Sequence, residues 1–497
     1  MKKMLTAVIL LFLLIVGSFC YAFADVNQAK EQVVLTPIHI AGDVSAAEGL
    51  EILLRNQYES RLHWETVFHP GTNATAETEF THTFNAVRDT FVQEPRLELN
   101  TGFNLYYSHD GQEWNPLNPA YEEMLEDAET GEMVTRTIRL KDYCDYYPLT
   151  GMIDLPDGYS IYWNEETHKG WEPSNEPGSD VPGTEAYVAD RFQEFFRIPV
   201  FSDEYLELHL QKDSSGSMYM SGGGTGAGGS RHYNMWGDSA FAEDAVYFTF
   251  HSLRSDGKAA DTSLIPGGYG IYKLPLTDAE TSSYTETDGM VSYITRIHGV
   301  DADGLEMVYP LDPSIRFQGI ELTPDQSRIL LHTYEKDSYV LTVIDAKTME
   351  TLQRLELDGP DREDASFFYY EGDGFFASLL DSRQLLLFTE NAKGEYQLEL
   401  EANLELEENI LFFLYETTYL TMDYDGEKLA IAFLIDTEPT RTAFHLAVFE
   451  KDGLAYYGQY GSSLGTMPQE YERDYYYTNY EYLCGPEDIR AIQASWK

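Results

Sequence analysis

The sequence predicts an all-β fold made of small antiparallel sheets, arranged as the blades of a β-propeller. Three observations lead to this prediction. Between residues 316 and 460, short runs rich in Val, Ile, Leu, Phe and Tyr alternate with polar turns. A pattern of one Asp, three mostly polar residues and a strand begins at Asp325, Asp381 and Asp425. Its spacings of 56 and 44 residues approach the length of one propeller blade.

The predicted strands of this stretch fall into three sets of the size of a blade, which has four short antiparallel strands. The first set spans 317–322, 329–334, 339–345 and 351–357. The second set spans 366–370, 375–380, 385–389 and 396–400. The third set spans 410–415, 419–423, 429–434 and 444–449, and a further strand at 454–460 follows it.

The amino-terminal half is less regular, and it mixes predicted strands with long polar segments. Its predicted strands span 50–54, 62–68, 80–84, 97–99, 103–107, 134–140, 159–163, 246–250 and 270–274. Residues 121–129 predict a short helix. Two segments rich in Gly, Ser, Pro or Glu, 164–183 and 213–230, are predicted to be long loop insertions.

We therefore predict one propeller domain over 25–497, with six to eight four-stranded blades and seven favoured. Its clearest blades span 316–460, its irregular blades and loops span 40–315, and its tail spans 466–497. The segments 33–40 and 489–496 both alternate apolar and polar residues. One terminus can thus complete the blade of the other, which would close the ring and remove exposed sheet edges.

One predicted blade carries a family resemblance. The run from Leu322 to Leu330 has the sequence L-T-P-D-Q-S-R-I-L, and V-L-T-V-I-D follows at 340–345. It resembles blades of bacterial WD40-like or YVTN-type β-propellers, which often have S-P-D-G-x-x-L followed by V-x-V-I-D. Here Gln326 replaces the usual Gly, and no Trp-Asp pair closes the blade. The resemblance implies the fold and carries over no catalytic residue.

A second, shorter resemblance lies at 105–114, with the sequence L-Y-Y-S-H-D-G-Q-E-W. It is similar to the Y-S-x-D-G-x-x-W hairpin of secreted sialidase-type Asp boxes. In those families Asp-Gly forms the turn and Trp packs behind it, so the motif is structural. The resemblance implies activity on carbohydrates as an alternative function, and it identifies no catalytic residue.

The first 24 residues have the pattern of a secretory signal peptide. Lys2 and Lys3 precede an almost wholly apolar run at 5–16, and Ala-Phe-Ala at 22–24 provides the small residues of a cleavage site. We expect a secreted or cell-surface protein with no further membrane span after cleavage. The alternative is an uncleaved helix that anchors the chain in a membrane.

The charge of the chain limits its partners. It has 84 acidic and 33 basic residues and a net charge of −51. Such a surface repels the phosphate backbone of nucleic acids, so we predict no nucleic-acid binding. A protein or carbohydrate ligand remains, and no cofactor is predicted.

Two cysteines follow the predicted signal peptide, Cys144 and Cys484. In an exported protein they are candidates for a disulfide, which would close a very long loop. The alternative is a pair of buried thiols.

Four residues near the amino terminus form a candidate zinc site. His63, Glu65 and His69 share one face of the predicted strand at 62–68, because side chains alternate along a strand. His82 could join them from the next strand. Histidine and carboxylate are normal zinc ligands. The alternative is a set of exposed or hydrogen-bonded histidines.

Two Asp-x-Asp-Gly sequences are candidate sites for weak calcium binding in an acidic exported protein. They contain Asp301 with Asp303, and Asp423 with Asp425. Neither has the spacing of an EF-hand loop. The alternative is that Asp-Gly forms ordinary β-turns.

No coherent catalytic set emerges from the motifs. The G-x-S-x-G sequence at 461–465 lacks a later His, and the G-x-G-x-x-G match at 224–229 lacks the flanking strand and helix. We therefore predict a non-catalytic binding or interaction module. The alternatives are a secreted carbohydrate-active hydrolase that uses a carboxylate pair and an envelope-assembly scaffold.

Overall fold

The protein is all-β, built from small antiparallel sheets of the β-propeller class, as the sequence predicts. A computed structural model describes residues 11–18, 20–21, 35–58, 62–82, 95–101, 117–131, 133–155, 160–163, 185–212, 218–221, 231–287, 290–336, 338–358, 367–380, 384–403, 420–433, 443–462 and 489–497. The chain divides into two compact units, 1–90 with 362–497, and 91–361. The described residues form seven sheets, within the expected range of six to eight.

Three of these sheets belong to the first unit, and all strands are numbered here in chain order. The strands are β1 Leu35–Gly42, β2 Leu50–Tyr58, β3 Leu62–His69, β4 Thr75–His82, β20 Phe367–Gly372, β21 Phe375–Leu380, β22 Gln384–Glu390, β23 Tyr396–Asn403, β24 Leu420–Tyr424, β25 Leu429–Phe433, β26 Ala443–Glu450, β27 Gly453–Ser462 and β28 Ile489–Trp496. The strand orders are β28-β2-β3-β4, β20-β21-β22-β23 and β1-β27-β26-β25-β24. Every pair of neighbours is antiparallel.

Strands near both chain termini pair within sheets of the first unit, and closure of a ring by them stays a prediction. The carboxyl-terminal strand β28 pairs with β2, with Trp496 opposite Leu50 and Ile492 opposite Leu54. The amino-terminal strand β1 pairs with β27 as the outer strand of a five-stranded sheet. Strand β28 contributes Ile492 and Ala494 to the core, whereas β1 is exposed along most of its length.

The second unit contains the other four sheets and two helices. Its strands are β5 Arg96–Thr101, β6 Met133–Arg139, β7 Leu149–Asp154, β8 Ser160–Trp163, β9 Tyr205–Lys212, β10 Met218–Ser221, β11 Gly237–Phe241, β12 Ala245–Phe250, β13 Gly270–Thr287, β14 Met290–Val300, β15 Glu306–Pro310, β16 Arg316–Leu322, β17 Arg328–Glu335, β18 Ser338–Asp345 and β19 Thr351–Asp358. The strand orders are β5-β7-β8, β10-β9-β6, β11-β12-β13-β14 with β15 beside β13, and β16-β17-β18-β19. The helices are α1 Asn118–Asp127 and α2 Glu185–Phe195.

Helix α1 confirms the predicted helix at 121–129, but α2 was not predicted. Its buried residues Val188 and Phe192 are four apart, and Phe196 follows after four more. This spacing places them on one helical face. That face packs in the main core of the second unit with Phe248 of β12.

The Asp-containing turn that marks the repeat has a clear physical basis at Asp325. Its carboxylate accepts hydrogen bonds from the hydroxyl of Thr323 at 2.7 Å and from the backbone N–H of Ser327 at 3.1 Å. Gln326, which replaces the usual Gly, has a left-handed φ of 55°. Its side-chain oxygen accepts the backbone N–H of Glu243 at 2.9 Å. The turn thus joins β16 to β17 in the predicted way.

Asp425 forms the matching turn between β24 and β25. Its carboxylate accepts the backbone N–H groups of Glu427 at 2.8 Å and Lys428 at 2.7 Å. Asp381, the third member of the repeat, lies outside the described residues. The segment that contains it joins β21 to β22, the second and third strands of their sheet. The turns at Asp325 and Asp425 each join an outermost strand of a sheet to its neighbour.

Other predictions have mixed outcomes. The strands of the three clear sets are present wherever the residues are described, and 410–415, 103–107, 83–84 and 105–114 lie outside that part. The predicted loop at 213–230 contains the short strand β10, which pairs with β9. The segment 164–183 also lies outside the described residues. The limits of the predicted domain stay a prediction.

The predicted disulfide also stays a prediction. The thiol of Cys144 donates to the backbone carbonyl of Leu140 at 3.6 Å, and Cys484 lies outside the described residues. Among the helices that the structure describes, none combines the length and apolar character needed to cross a membrane.

Candidate functional site

A cavity of about 560 Å³ lies in the second unit, where β5, β11 and β16 come together. Polar side chains from all three strands line it, together with apolar groups such as Phe241. The polar lining residues are Arg96, Glu98, Asp238, Ser239 and Glu321.

The dipeptide Asp238-Ser239 holds these three strands side by side. The carboxylate of Asp238 accepts the backbone N–H of Ile320 in β16 at 3.1 Å. The hydroxyl of Ser239 accepts the backbone N–H of Leu97 in β5 at 2.9 Å. Two adjacent side chains of β11 therefore satisfy backbone donors on one strand of each of two other sheets, which fixes the walls of the cavity.

Charge in the cavity is mostly negative. Among the described residues that line it, three bear carboxyl groups and one, Arg96, bears a guanidinium. Arg96 donates to Asp154 at 2.9 Å and contacts Glu98 at 2.8 Å, and the hydrogen bond with Asp154 is the main reason that its pKa is raised. Arg96 is thus paired with two carboxylates, one of which, that of Glu98, also lines the cavity.

Asp238 differs from an ordinary surface carboxyl. Burial raises its pKa, and the hydrogen bonds from Ile320 and Ser239 oppose that shift. A cavity with this lining can accept hydrogen bonds from hydroxyl groups or balance a positive charge. A carboxyl with a raised pKa can also donate a proton.

The two candidate zinc residues with described side chains, Glu65 and His69, lie beside other partners. Glu65 pairs with Arg55 of the neighbouring strand at 2.9 Å, and His69 lies 3.8 Å from Glu51. The side chains of His63 and His82 lie outside the described part, although their backbones are in β3 and β4. The described residues contain no cluster of three or more metal-binding side chains, and the zinc site stays a prediction.

The first candidate calcium pair lies at a short 3₁₀ turn in the second unit. Asp301 caps this turn and accepts the backbone N–H of Gly304 at 3.2 Å. Asp303 pairs with Arg191 of α2 at 2.9 Å and also accepts the hydroxyl of Tyr187. Asp301 thus stabilises the turn itself, and Asp303 holds α2 against it.

The second candidate pair lies in β24 and the turn after it. Asp423 accepts the backbone N–H of Trp496 in β28 at 2.6 Å, so it bridges two neighbouring sheets as Asp238 does. Asp425 forms the turn described above. These contacts give both pairs structural roles, and calcium binding stays a prediction.

The cavity residues were not among the sequence-based candidates. Arg96, Asp238 and Glu321 are separated by 142 and 83 residues, and no local pattern connects them. The one local signal is the polar pair Asp238-Ser239 at the start of a strand whose other residues are small or apolar.

Two buried histidines in other sheets are held in a neutral state. The Nδ1 atom of His332 is 2.6 Å from the hydroxyl of Tyr339, and that of His445 is 2.7 Å from the hydroxyl of Tyr457. Burial lowers the pKa of His332 to about 3 and that of His445 to about 4. Each histidine therefore takes up a proton on unfolding below pH 6.5, the ordinary value.

We expect the free energy of unfolding to fall as the pH drops from about 6.5 toward 3, because the unfolded state binds the extra protons. Each buried histidine contributes at most about 1.4 kcal/mol per pH unit. His332→Gln should make this fall shallower between pH 6 and pH 4, as measured by urea unfolding. Equal slopes for this variant and the wild-type protein would contradict the assignment.

No protein-family model matches the chain, and no curated protein matches it in sequence. The Swd1 β-propeller domain of Myceliophteria thermophila is 10% identical with a TM-score of 0.22, over 53% of this chain and 84% of that one.

Two further solved structures are similar over more of the chain. A Lactobacillus plantarum protein is 9% identical with a TM-score of 0.24, over 81% of this chain and 92% of that one. A periplasmic gluconolactonase of Pseudomonas aeruginosa is 9% identical with a TM-score of 0.23, over 83% and 96%. At these TM-scores the likenesses assign no function to this chain.

Proposed function

We propose that this chain is a non-catalytic binding module of the WD40-like type that takes a small polar ligand in the cavity between β5, β11 and β16. The observation that carries the proposal is the excess of carboxyl groups on three strands clamped by Asp238 and Ser239. Strands fixed in this way form a preformed site, which lowers the entropic cost of binding.

The ligand class follows from the lining. Three carboxyl groups, those of Glu98, Asp238 and Glu321, line the cavity against one guanidinium, that of Arg96, which pairs with Glu98 and Asp154. This excess favours a ligand with several hydroxyl groups or with a positive charge over an anionic ligand. The net charge of −51 also attracts positively charged ligands at long range and repels nucleic acid.

The proposal places this module outside the cytoplasm. The support is the basic, apolar and small-residue pattern of residues 1–24. The proposed binding needs no resident cofactor, since the cavity residues themselves provide the polar contacts.

The test is a binding screen on the protein purified without residues 1–24, with neutral saccharides, amines and basic peptides as probes. We expect Glu98→Gln and Asp238→Asn to weaken binding of the best probe by at least about tenfold, the cost of one lost charged hydrogen bond. The matched control is Glu306→Gln, an exposed carboxylate of the same unit. Equal affinity in all four proteins would refute the cavity as the binding site.

The second candidate is a carbohydrate-active hydrolase, favoured by one observation. Burial raises the pKa of Asp238, and glycosidases use one such carboxyl as the general acid beside a second carboxylate. Broad glycosidase assays distinguish the two functions. Turnover that Asp238→Asn or Glu98→Gln abolishes would replace the binding-only proposal.

A further inference from the structure

The carboxyl group of Glu204 is completely buried in the second unit, directly before β9. One oxygen accepts the hydroxyl of Tyr147 at 2.5 Å, and the other accepts the backbone N–H of Tyr233 at 2.5 Å. A buried carboxyl that contacts two segments 86 residues apart is a rare arrangement, because carboxyl groups usually stay in water.

The backbone around Glu204 adds two more connections. Its carbonyl accepts the N–H of Leu140, directly after β6, at 3.2 Å. The next residue, Tyr205, exchanges two backbone hydrogen bonds with Arg231, both of 2.9 Å. Glu204 therefore joins the ends of β6 and β9 to the segment that leads into β11.

The charged groups beside Glu204 are already paired with one another. Arg254 is 2% exposed and directs its hydrogen bonds to Asp203 and Asp256, at 2.9 and 2.7 Å. Lys258 and Arg231 complete the same network by contacts with these two carboxylates.

The other titratable neighbours are phenols. The hydroxyl of Tyr147 contacts the carboxyl directly, whereas Tyr233 contacts it through its backbone N–H and donates its hydroxyl to the carbonyl of His251. Tyr269 and Tyr272 act on the phenol of Tyr233. The carboxyl of Glu204 thus accepts hydrogen bonds from Tyr147 and Tyr233, while the charge of Arg254 favours its ionised form and that of Asp203 opposes it.

Ionisation of a carboxyl in such a place is costly, because its charge loses contact with water. Burial raises the pKa of Glu204 to about 7, and the hydrogen bonds from Tyr147 and Tyr233 only partly oppose this shift. When the segments separate and water enters, the pKa should return toward the ordinary value of 4.5. The joined arrangement therefore binds one more proton than the open one between these two values.

We propose that Glu204 is a proton-dependent latch, which holds the three segments together while its carboxyl is protonated and weakens as the proton is lost. The free energy by which Glu204 stabilises the joined arrangement is largest below pH 4.5 and falls as the pH rises to about 7. Above that pH it stays constant. This inference goes beyond the proposed ligand site and does not depend on it.

The test is hydrogen exchange of the backbone amides of Tyr233 and Leu140 between pH 5 and pH 8, corrected for the intrinsic pH dependence of exchange. In the wild-type protein we expect protection to fall by up to about tenfold per pH unit up to pH 7, then to level off. In Glu204→Gln the corrected protection should not depend on pH. The matched control, Glu207→Gln on β9, should follow the wild type.

A second variant keeps the proposal testable if Glu204→Gln fails to fold. Tyr147→Phe removes a donor to the carboxylate, so the levelling-off point should move to higher pH. Carboxyl ¹³C shifts give an independent readout, with a midpoint near 7 expected for Glu204. Constant wild-type protection from pH 5 to pH 8, or a carboxyl midpoint at 4.5 or below, would overturn the proposal.

Discussion

A variant that ends at residue 488 should lose the cooperative unfolding of the first unit. This truncation removes β28, which pairs with β2 from Trp496 to Ile489. The edge of β2 would then expose its backbone groups, and the cover that Ile492 and Ala494 provide in the core would be lost. We expect a loss of more than about 5 kcal/mol, which is comparable with the entire stability of many domains.

The matched control removes the other terminal strand. A variant that begins at Gly42 lacks most of β1, an outer strand that is exposed along most of its length. This control should keep a cooperative transition, because little apolar surface is buried by β1. Thermal and urea unfolding of both variants provide the measurement. Similar stability of the two truncated proteins would contradict the role assigned to β28.

Phe196→Ala should be among the most destabilising single substitutions in the second unit. The ring is fully buried and lies 4.9 Å from that of Tyr272, 5.8 Å from that of Phe250 and 6.0 Å from that of Phe248. Truncation to Ala leaves a cavity among aromatic rings that two strands hold in place. The expected loss is about 3–5 kcal/mol.

Two further variants separate cavity formation from other effects. Phe196→Leu keeps more of the volume and should cost less than the Ala variant. Leu352→Ala, at a site that is 52% exposed in the same unit, should change stability by less than about 0.5 kcal/mol. Urea unfolding of the three variants gives the order directly. A cost at Phe196 no larger than that at Leu352 would contradict the packing described here.

The predicted strands were most accurate where alternation and turn chemistry agree. The turn at Asp325 and the strands on both sides of it follow from local hydrogen bonds and apolar runs. The terminal segments also alternate, which allowed the pairing of β28 and β1 with other strands to be expected.

Two elements show what the prediction missed. Helix α2 has a local signal, the four-residue spacing of Val188 and Phe192, but it is short and follows the polar segment at 164–183. The outer part of the β13–β14 hairpin had none, because the sequence from Thr277 to Thr287 is mostly polar and does not alternate clearly.

The candidate site could not be predicted because it depends on contacts between distant residues. The hydrogen bond from Ile320 to Asp238 spans 82 residues, and the one from Leu97 to Ser239 spans 142. The sequence-based metal candidates relied on local spacing instead. In the structure, Asp303 and Asp423 stabilise turns and neighbouring strands through their carboxylates.

The most direct test of the proposed binding module is a crystal structure with the best-binding saccharide, amine or basic peptide. The account predicts that this probe occupies the cavity between β5, β11 and β16, with a hydroxyl or ammonium group within hydrogen-bond distance of Asp238 or Glu98. A probe bound at full occupancy elsewhere on the protein, with this cavity empty, would contradict the proposed binding site.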